Sequence, residues 1–398
     1  MTKNSTLALI AWATAAGVYV AAHAVDAQFA MFWVFGLAFG FVLQRARFCF
    51  ASAFRDIFLM GHARNMKGVL VGLAVGAVGF GVVMSRQVPL TSLGIYPPSA
   101  NVLPLGIHTA LGGLLFGVGM VVAGGCVSGS IYRMGEGYVA SWVAFAGVMG
   151  GLLLSAHTWN WWWEAHISAT PRIWLPHLIG HPGALVATLL GLAAVYVWVV
   201  SIEHRAGVVV PVASGAPIQP ESFGEDLRSV ARRFFEQAWP IIPAGAALGG
   251  LNVLLFMAQE PWGFTGEVSR WSIAAASIVN AAPGPLAGGE SLPGCVLVPS
   301  DGNFLNHMLF LVLGMFFGSF AAAVGAGEFK LRIPRRPVRY GQSLGGGVIM
   351  GYGSGIGMGC TIGAFFSAIP SLAVNGWVFG GFLAIGAWIG TLIIQRIQ

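Results

Sequence analysis

The sequence predicts an all-α polytopic membrane protein, an inverted-topology repeat whose helices are broken partway across the bilayer. Three observations predict it. Only 9% of the 398 residues are charged, against about 25% in an ordinary soluble domain, and mean hydropathy is +0.77. Apolar stretches of spanning length recur along the whole chain. A glycine-rich segment ending in Gly-Cys occurs twice, once in each half. A soluble chain of this length cannot cover its surface with so few charges, so soluble, disordered and fibrous classes are excluded.

The apolar stretches fall at 7–23, 29–44, 66–85, 106–124, 138–156, 183–201, 239–258, 305–326, 342–359 and 373–395. Each is close to the length a membrane-spanning helix needs. Ala22-His23-Ala24 mimics a signal-cleavage site after the first stretch. With Lys3 as the only charge ahead of it, that stretch reads as a retained first span.

Lys and Arg set the orientation. Segment 45–67 carries Arg45, Arg47, Arg55, Arg64 and Lys67; segment 202–237 carries Arg205, Arg228, Arg232 and Arg233; segment 327–340 carries Lys330, Arg332, Arg335, Arg336 and Arg339. The alternating segments 86–105, 157–181 and 259–304 hold one arginine each. The positive-inside rule then places both termini of this multi-pass chain in the cytoplasm. The Trp-rich segment 157–174 is expected outside, as an aromatic belt or cap. The polar linker 202–237, ending in a short amphipathic helix over Glu225–Trp239, separates an N-terminal half, 1–201, from a C-terminal half, 238–398.

The halves resemble each other. Gly112–Gly129 (GGLLFGVGMVVAGGCVSG) aligns without gaps on Gly346–Gly363 (GGVIMGYGSGIGMGCTIG), with seven identities in eighteen positions, Cys126 on Cys360 among them. One copy runs inward and the other outward. That is the inverted repeat of many secondary transporters, with the first copy inside a repeat unit of about 29–156. A fainter echo links Arg47-Phe48-Cys49-Phe50 to Trp262-Gly263-Phe264-Thr265.

Glycine at this density disfavours an unbroken helix, by about 1 kcal/mol per residue relative to Ala. The helices are expected to stop and turn at Gly125-Cys126 and at Gly359-Cys360. Broken helices are tolerated in a membrane only where they line a cavity or are buried in protein. A restarted helix offers free N–H groups and the positive end of its dipole, so two such ends make an anion site. The thiol adds a soft, polarizable sulfur, suited to an anion that itself carries sulfur. Ser128 and Thr361 are small polar neighbours that extend such a site. Cys49 lies in a half-apolar, half-basic segment, QRARFCFASAFRD, that reads as a re-entrant half-helix or as a positive-inside anchor. Arg45, Arg47 and Arg133 are the candidates for drawing an anion to the cytoplasmic side.

Other chemistry finds little support. The positive charges, net +6, are spread over short loops, so a nucleic-acid surface is excluded. Four cysteines without a CxxC pair make no disulfide framework. His157, His166, His177 and His181 have no metal-binding spacing, so neither a metal nor another cofactor is expected. No Walker lysine motif is present, which argues against ATP-driven transport by this chain.

RARFCFASAFRD, GGCVSG and GYGSGIGMGCTIG resemble the three cysteine-bearing motifs of the YeeE/YedE family of bacterial inner-membrane proteins. The resemblance spans about 29 to 395. It implies an hourglass-like fold in which broken helices meet at a constriction, and uptake of thiosulfate. By motif, Cys49, Cys126 and Cys360 would hand the ion along through S–H to sulfur hydrogen bonds. It also implies a cytoplasmic sulfur-carrier partner of the TusA type, for which the basic loops 45–67 and 327–340 are docking candidates. The polar 202–237 insertion and the 281–304 stretch, with its fourth cysteine Cys295, bring the chain closer to the YedE-like branch. Selenium compounds are therefore an alternative substrate. From a different class, an intramembrane thiol relay enzyme is the alternative to a transporter. Cysteines within disulfide range would favour the relay, and cysteines spread along a path would favour transport.

Overall fold

The computed structural model describes residues 3–207, 234–235, 237–289, 292, 297 and 304–397. Its helices are α1 (Lys3–Val25), α2 (Ala27–Ala46), α3 (Phe50–Met60), α4 (Arg64–Gln87), α5 (Ile107–Ala123), α6 (Val127–Gly135) and α7 (Val139–Trp162). They continue with α8 (Leu175–Arg205), α9 (Ile241–Ala258), α10 (Thr265–Ile278), α11 (His307–Gly325), α12 (Val338–Ile356) and α13 (Val374–Ile397). A π-helical segment, Thr361–Ser367, follows α12. Among the described residues, nine helices are long and apolar enough to cross a membrane, ten if α12 and its bent continuation count as one span. Each of the ten apolar stretches lies on one of them.

Three shorter helices hang on these spans: α3, α6 and α10. The sequence foreshadows α3 and α6. It hides α10, because Thr265, Glu267, Ser269, Arg270 and Ser272 dilute its apolar content. The helix expected over Glu225–Trp239 lies largely outside the described residues. The tryptophan segment also differs from expectation. Trp159, Trp162 and Trp174 are buried in protein, where Trp159 donates its indole N–H to Ala287 O at 2.9 Å and Trp174 to Ser371 O at 2.9 Å. An indole has one polar atom, and these two are satisfied by loop carbonyls rather than by lipid headgroups. Trp161 stays exposed.

The packing follows the repeat. Helix α2 packs chiefly on α11, and α4 on α9; α7 packs on α12, and α5 on α13 and α12. Matching α2–α7 in order with α9–α13 and the π segment exchanges each pair with its counterpart, as a two-fold relation requires. Glycine makes these contacts close. A Cβ on Gly314 would lie 2.6 Å from Trp33 O, and one on Gly112 would lie 2.7 Å from Gly357 N. Such approaches exclude any side chain and let the helix backbones touch.

Two ends of the bundle can be told apart. At one, Lys330 N–H and Arg332 N–H bond Glu136 O and Gly137 O, and Arg45 meets Glu328; this is the basic end. At the other, Leu105 N–H bonds Pro171 O and Val374 N–H bonds Ile173 O.

Candidate functional site

Among the described residues, four helix starts follow a break between an apolar span and a short helical segment. Cys49 is the N-cap of α3, Cys126 of α6, Phe264 of α10 and Cys360 of the π segment; all four are buried. The faint echo in the sequence pairs Cys49 with Phe264, and the structure gives both the same post.

Each break has its own cause. At the end of α2, Arg47 adopts a left-handed conformation (φ 50), and Phe48 N–H bonds Leu43 O at 2.9 Å. Helix α5 stops at Gly124 (φ 83), whose carbonyl accepts from Arg133 at 2.7 Å. Beyond α12 the chain turns through Met358 (φ 54) and Gly359 (φ 150), and the axis bends by 49°. A side chain on Gly359 would crowd Ala364 N, 2.9 Å from the added Cβ. The fourth break, between α9 and α10, hangs on Asn252. Its Oδ1 accepts from Trp262 N–H at 2.7 Å and its Nδ2 donates to Ser367 Oγ at 3.1 Å, while Ser367 Oγ–H donates to Trp262 O at 2.7 Å.

Cys49, Cys126 and Cys360 are free thiols. Those of Cys49 and Cys126 face each other across Gly129, whose added Cβ would lie 3.7 Å and 3.3 Å from the two sulfurs. Cys126 Sγ also accepts from Gly129 N–H at 3.4 Å and shares a hydrogen bond with Ser128 Oγ at 3.2 Å. Cys360 Sγ accepts from Ile362 N–H at 3.4 Å and lies against Thr265. Aromatic rings tie the two places together. Phe50, first residue of α3, meets Phe366 edge-on at 5.3 Å; Phe366 meets Trp262 at 6.2 Å; Trp262 stacks on Phe39 at 3.9 Å.

At the basic end a cavity of about 560 Å³ opens between Arg47, Arg133, Glu136, Glu328, Lys330 and Arg332. Arg133 lines it and sits near Cys49. Arg47 is largely exposed and pairs with Glu328 at 3.2 Å. Arg45 is fully buried and does not line the cavity: its guanidinium donates to Glu328 Oε2 at 2.7 Å, Gln44 Oε1 at 2.6 Å and Phe235 O at 3.3 Å. Gln44 in turn donates to Glu328 at 2.8 Å and Glu136 at 3.2 Å. The two acids differ. Burial raises the Glu136 carboxyl above the usual range, with Arg133 and Gln44 only partly offsetting it. Burial pulls Glu328 the same way, but the Gln44 hydrogen bond and the Arg45 and Arg47 guanidinium groups outweigh it and hold that carboxyl low.

Of the residues singled out from sequence, Cys49, Cys126, Ser128 and Gly125 gather at one place, with Arg133 and Arg47 on the cavity beside it. Cys360, Gly359 and Thr361 gather at the other. Cys295 lies outside the described residues. Gly129, Asn252 and Thr265 were missed as site residues. For Gly129 and Thr265 the signal was present, since one is a repeat identity and the other aligns with Phe50. Among the described residues no cluster of His, Cys, Asp and Glu is set to hold a metal ion.

A model of the sulphur transport family matches residues 45–389, a span that includes all three motif cysteines. The chain belongs to this family. Within the sulphur transport family, it is similar to the thiosulfate transporter TsuA of Escherichia coli K12, 29% identical over 90% of this chain and 92% of that protein. Its identity to TsuA of Spirochaeta thermophila is 30%, over 91% and 97% respectively. The probable transporter YedE of Salmonella typhimurium is 34% identical, but over 50% of this chain and 46% of its own length. The family expected from the three motifs is thus shown over most of the chain.

Proposed function

We propose that this chain carries thiosulfate across the bacterial inner membrane into the cytoplasm. The observation that carries the reading is the set of three buried free thiols, each standing as the N-cap of an interrupted helix. Thiosulfate is a dianion with one soft terminal sulfur and three oxygens. A thiol donates weakly to that sulfur, and the helix start behind it offsets the charge. Several weak stations suit passage better than one tight site, because the ion must also leave. The route runs from Cys360 through the aromatic contact of Phe366 and Phe50 to the Cys126–Cys49 pair, then into the cationic cavity. The positive-inside rule puts that cavity in the cytoplasm, with both termini.

Thiosulfate is preferred to a selenium compound because the relatives named TsuA match over nine-tenths of this chain, and the YedE relative over half. A sulfur carrier of the TusA type would meet the ion at the basic loops of this end. One observation favours the thiol relay as a second reading: the Cys49 and Cys126 thiols face each other. Serine replacements separate the two, since a relay needs the sulfur itself while a hydrogen-bonding path keeps partial flux.

Uptake of labelled thiosulfate into liposomes, with sulfate and selenite as competitors, tests the proposal. Flux above empty vesicles, abolished or cut more than tenfold in Cys126→Ala and Cys360→Ala, is expected. A folded sample without flux overturns it.

A further inference from the structure

We infer that Thr265, Ser269 and Thr361 form a hydroxyl station beside Cys360, which takes the oxygens of the anion while the thiol takes its sulfur. The inference rests on the transport reading above. Its ground is a set of polar atoms that the fold leaves unsatisfied. Among the described residues, Thr265 Oγ1, Ser269 Oγ and Thr361 Oγ1 have no hydrogen-bond partner, although the three residues are 1%, 0% and 0% exposed.

Several buried hydroxyls bond back to their own helix, and the two others left without a partner among the described residues, Thr188 Oγ1 and Ser343 Oγ, stand singly on α8 and α12. Ser272 donates to Val268 O at 2.8 Å and Ser354 to Gly351 O at 2.8 Å. Ser269, one turn before Ser272 on α10, does not. A buried hydroxyl without a partner is costly, so such groups call for an explanation. The three are also grouped. Thr265 and Ser269 stand four residues apart on one face of α10. Thr265 lies against the Cys360 thiol, though no hydrogen bond of normal geometry reaches its oxygen. Thr361 directly follows Cys360. Trp262 Nε1, at the same break, is a further donor without a partner.

The backbone points the same way. Phe264, as N-cap, makes no side-chain bond to the first turn of α10, so the leading N–H groups of that helix have neither an intrahelical partner nor one from its cap. The acid nearest this helix start is engaged elsewhere: Glu267 accepts from Trp271 Nε1 at 2.6 Å and Asn306 Nδ2 at 3.0 Å and lies 3.6 Å from Arg270 Nε. Free O–H and N–H donors at a helix start fit anionic oxygen, where charge-assisted hydrogen bonds are short and strong.

The two-fold counterpart shows the contrast. At the basic end a second thiol, Cys49, stands where this end has Phe264. One station therefore pairs a single thiol with free hydroxyls, and the next pairs two thiols. Sulfate satisfies the first and fails at the second, so it competes without being carried.

The test is uptake of labelled thiosulfate by the full chain in liposomes, with sulfate as competitor. Sulfate is expected to inhibit the unaltered protein. In Thr265→Val/Ser269→Ala, the half-inhibitory sulfate concentration and the thiosulfate KM are expected to rise about tenfold, while Thr265→Ser keeps both. Thr361→Val gives a second reading in case the double variant fails to fold. Unchanged KM and sulfate inhibition in folded variants would overturn the station and leave the transport reading intact. Sulfate that does not compete with the unaltered protein also overturns it. Absence of thiosulfate flux in the unaltered protein removes both.

Discussion

Single residues near the Cys49–Cys126 pair do different work, and substitutions should show it. Gly129 leaves room between the Cys49 and Cys126 sulfurs. Gly129→Ala adds a methyl 3.3 Å from one and 3.7 Å from the other, while alanine favours the helix by up to about 1 kcal/mol. Thiosulfate uptake should fall several-fold with the thermal unfolding temperature kept or raised. Unchanged uptake would show that the thiols need no gap. Arg45 should behave in the opposite way. Its guanidinium is spent on Glu328, Gln44 and Phe235, so Arg45→Met should lower stability by about 1–3 kcal/mol, read from thermal unfolding in detergent. The sequence could mark Arg45 as basic and near an apolar border. Two of its three partners lie 190 and 283 residues away, and no local pattern announces them.

At the scale of the helix, what matters is where it stops and what it touches. The stops at Gly125-Cys126 and Gly359-Cys360 were legible, because glycine and cysteine recur at matched positions in two copies. The stop before Thr265 was not, because its anchor is a side chain on another helix. Asn252→Leu removes both hydrogen bonds that hold Trp262 and Ser367, and should cost about 1–3 kcal/mol and reduce uptake together. Glycine count alone says little about which helices meet. Gly151 faces Val348 O and Tyr352 N with no room for a methyl, whereas Gly17 has open space around it. Gly151→Ala should therefore destabilise by about 1–3 kcal/mol, and Gly17→Ala should be neutral or stabilising by up to about 1 kcal/mol. Equal melting temperatures for the two variants would refute the close packing.

For the molecule as a whole, the charge of the basic end should set a pH response. The raised Glu136 carboxyl takes its proton before the lowered Glu328 carboxyl as pH falls. Protonating Glu136 leaves the cations of the cavity opposed by one carboxylate. Acidifying the side that holds the cavity should then strengthen anion binding there, and Glu136→Gln should flatten the dependence, measured as uptake against lumenal pH. The linkage to stability has opposite signs. Glu136 favours the folded state at low pH and loses that contribution as pH rises through its raised value. Glu328 contributes above the ordinary carboxylate range and loses its contribution as pH falls through its lowered one. Spans, breaks and motif cysteines were readable because membrane solvation imposes length and glycine imposes turns. The hydroxyl group near Cys360 and the carboxylate pair were not, since each is assembled from segments far apart in the chain.

The exchange of partners between halves has a mechanical consequence. Domains that rock against each other need a plane that few close contacts cross. Here α2, α4, α5 and α7 each have their main neighbour in the other half, with backbone against backbone at Gly314 and Gly112. Those close approaches tie the two halves together, so the halves have no free plane between them along which to rock. Passage is then expected to use small motions, such as a rotating thiol or a ring of Phe50 or Phe366 swinging aside, rather than rocking of one half against the other.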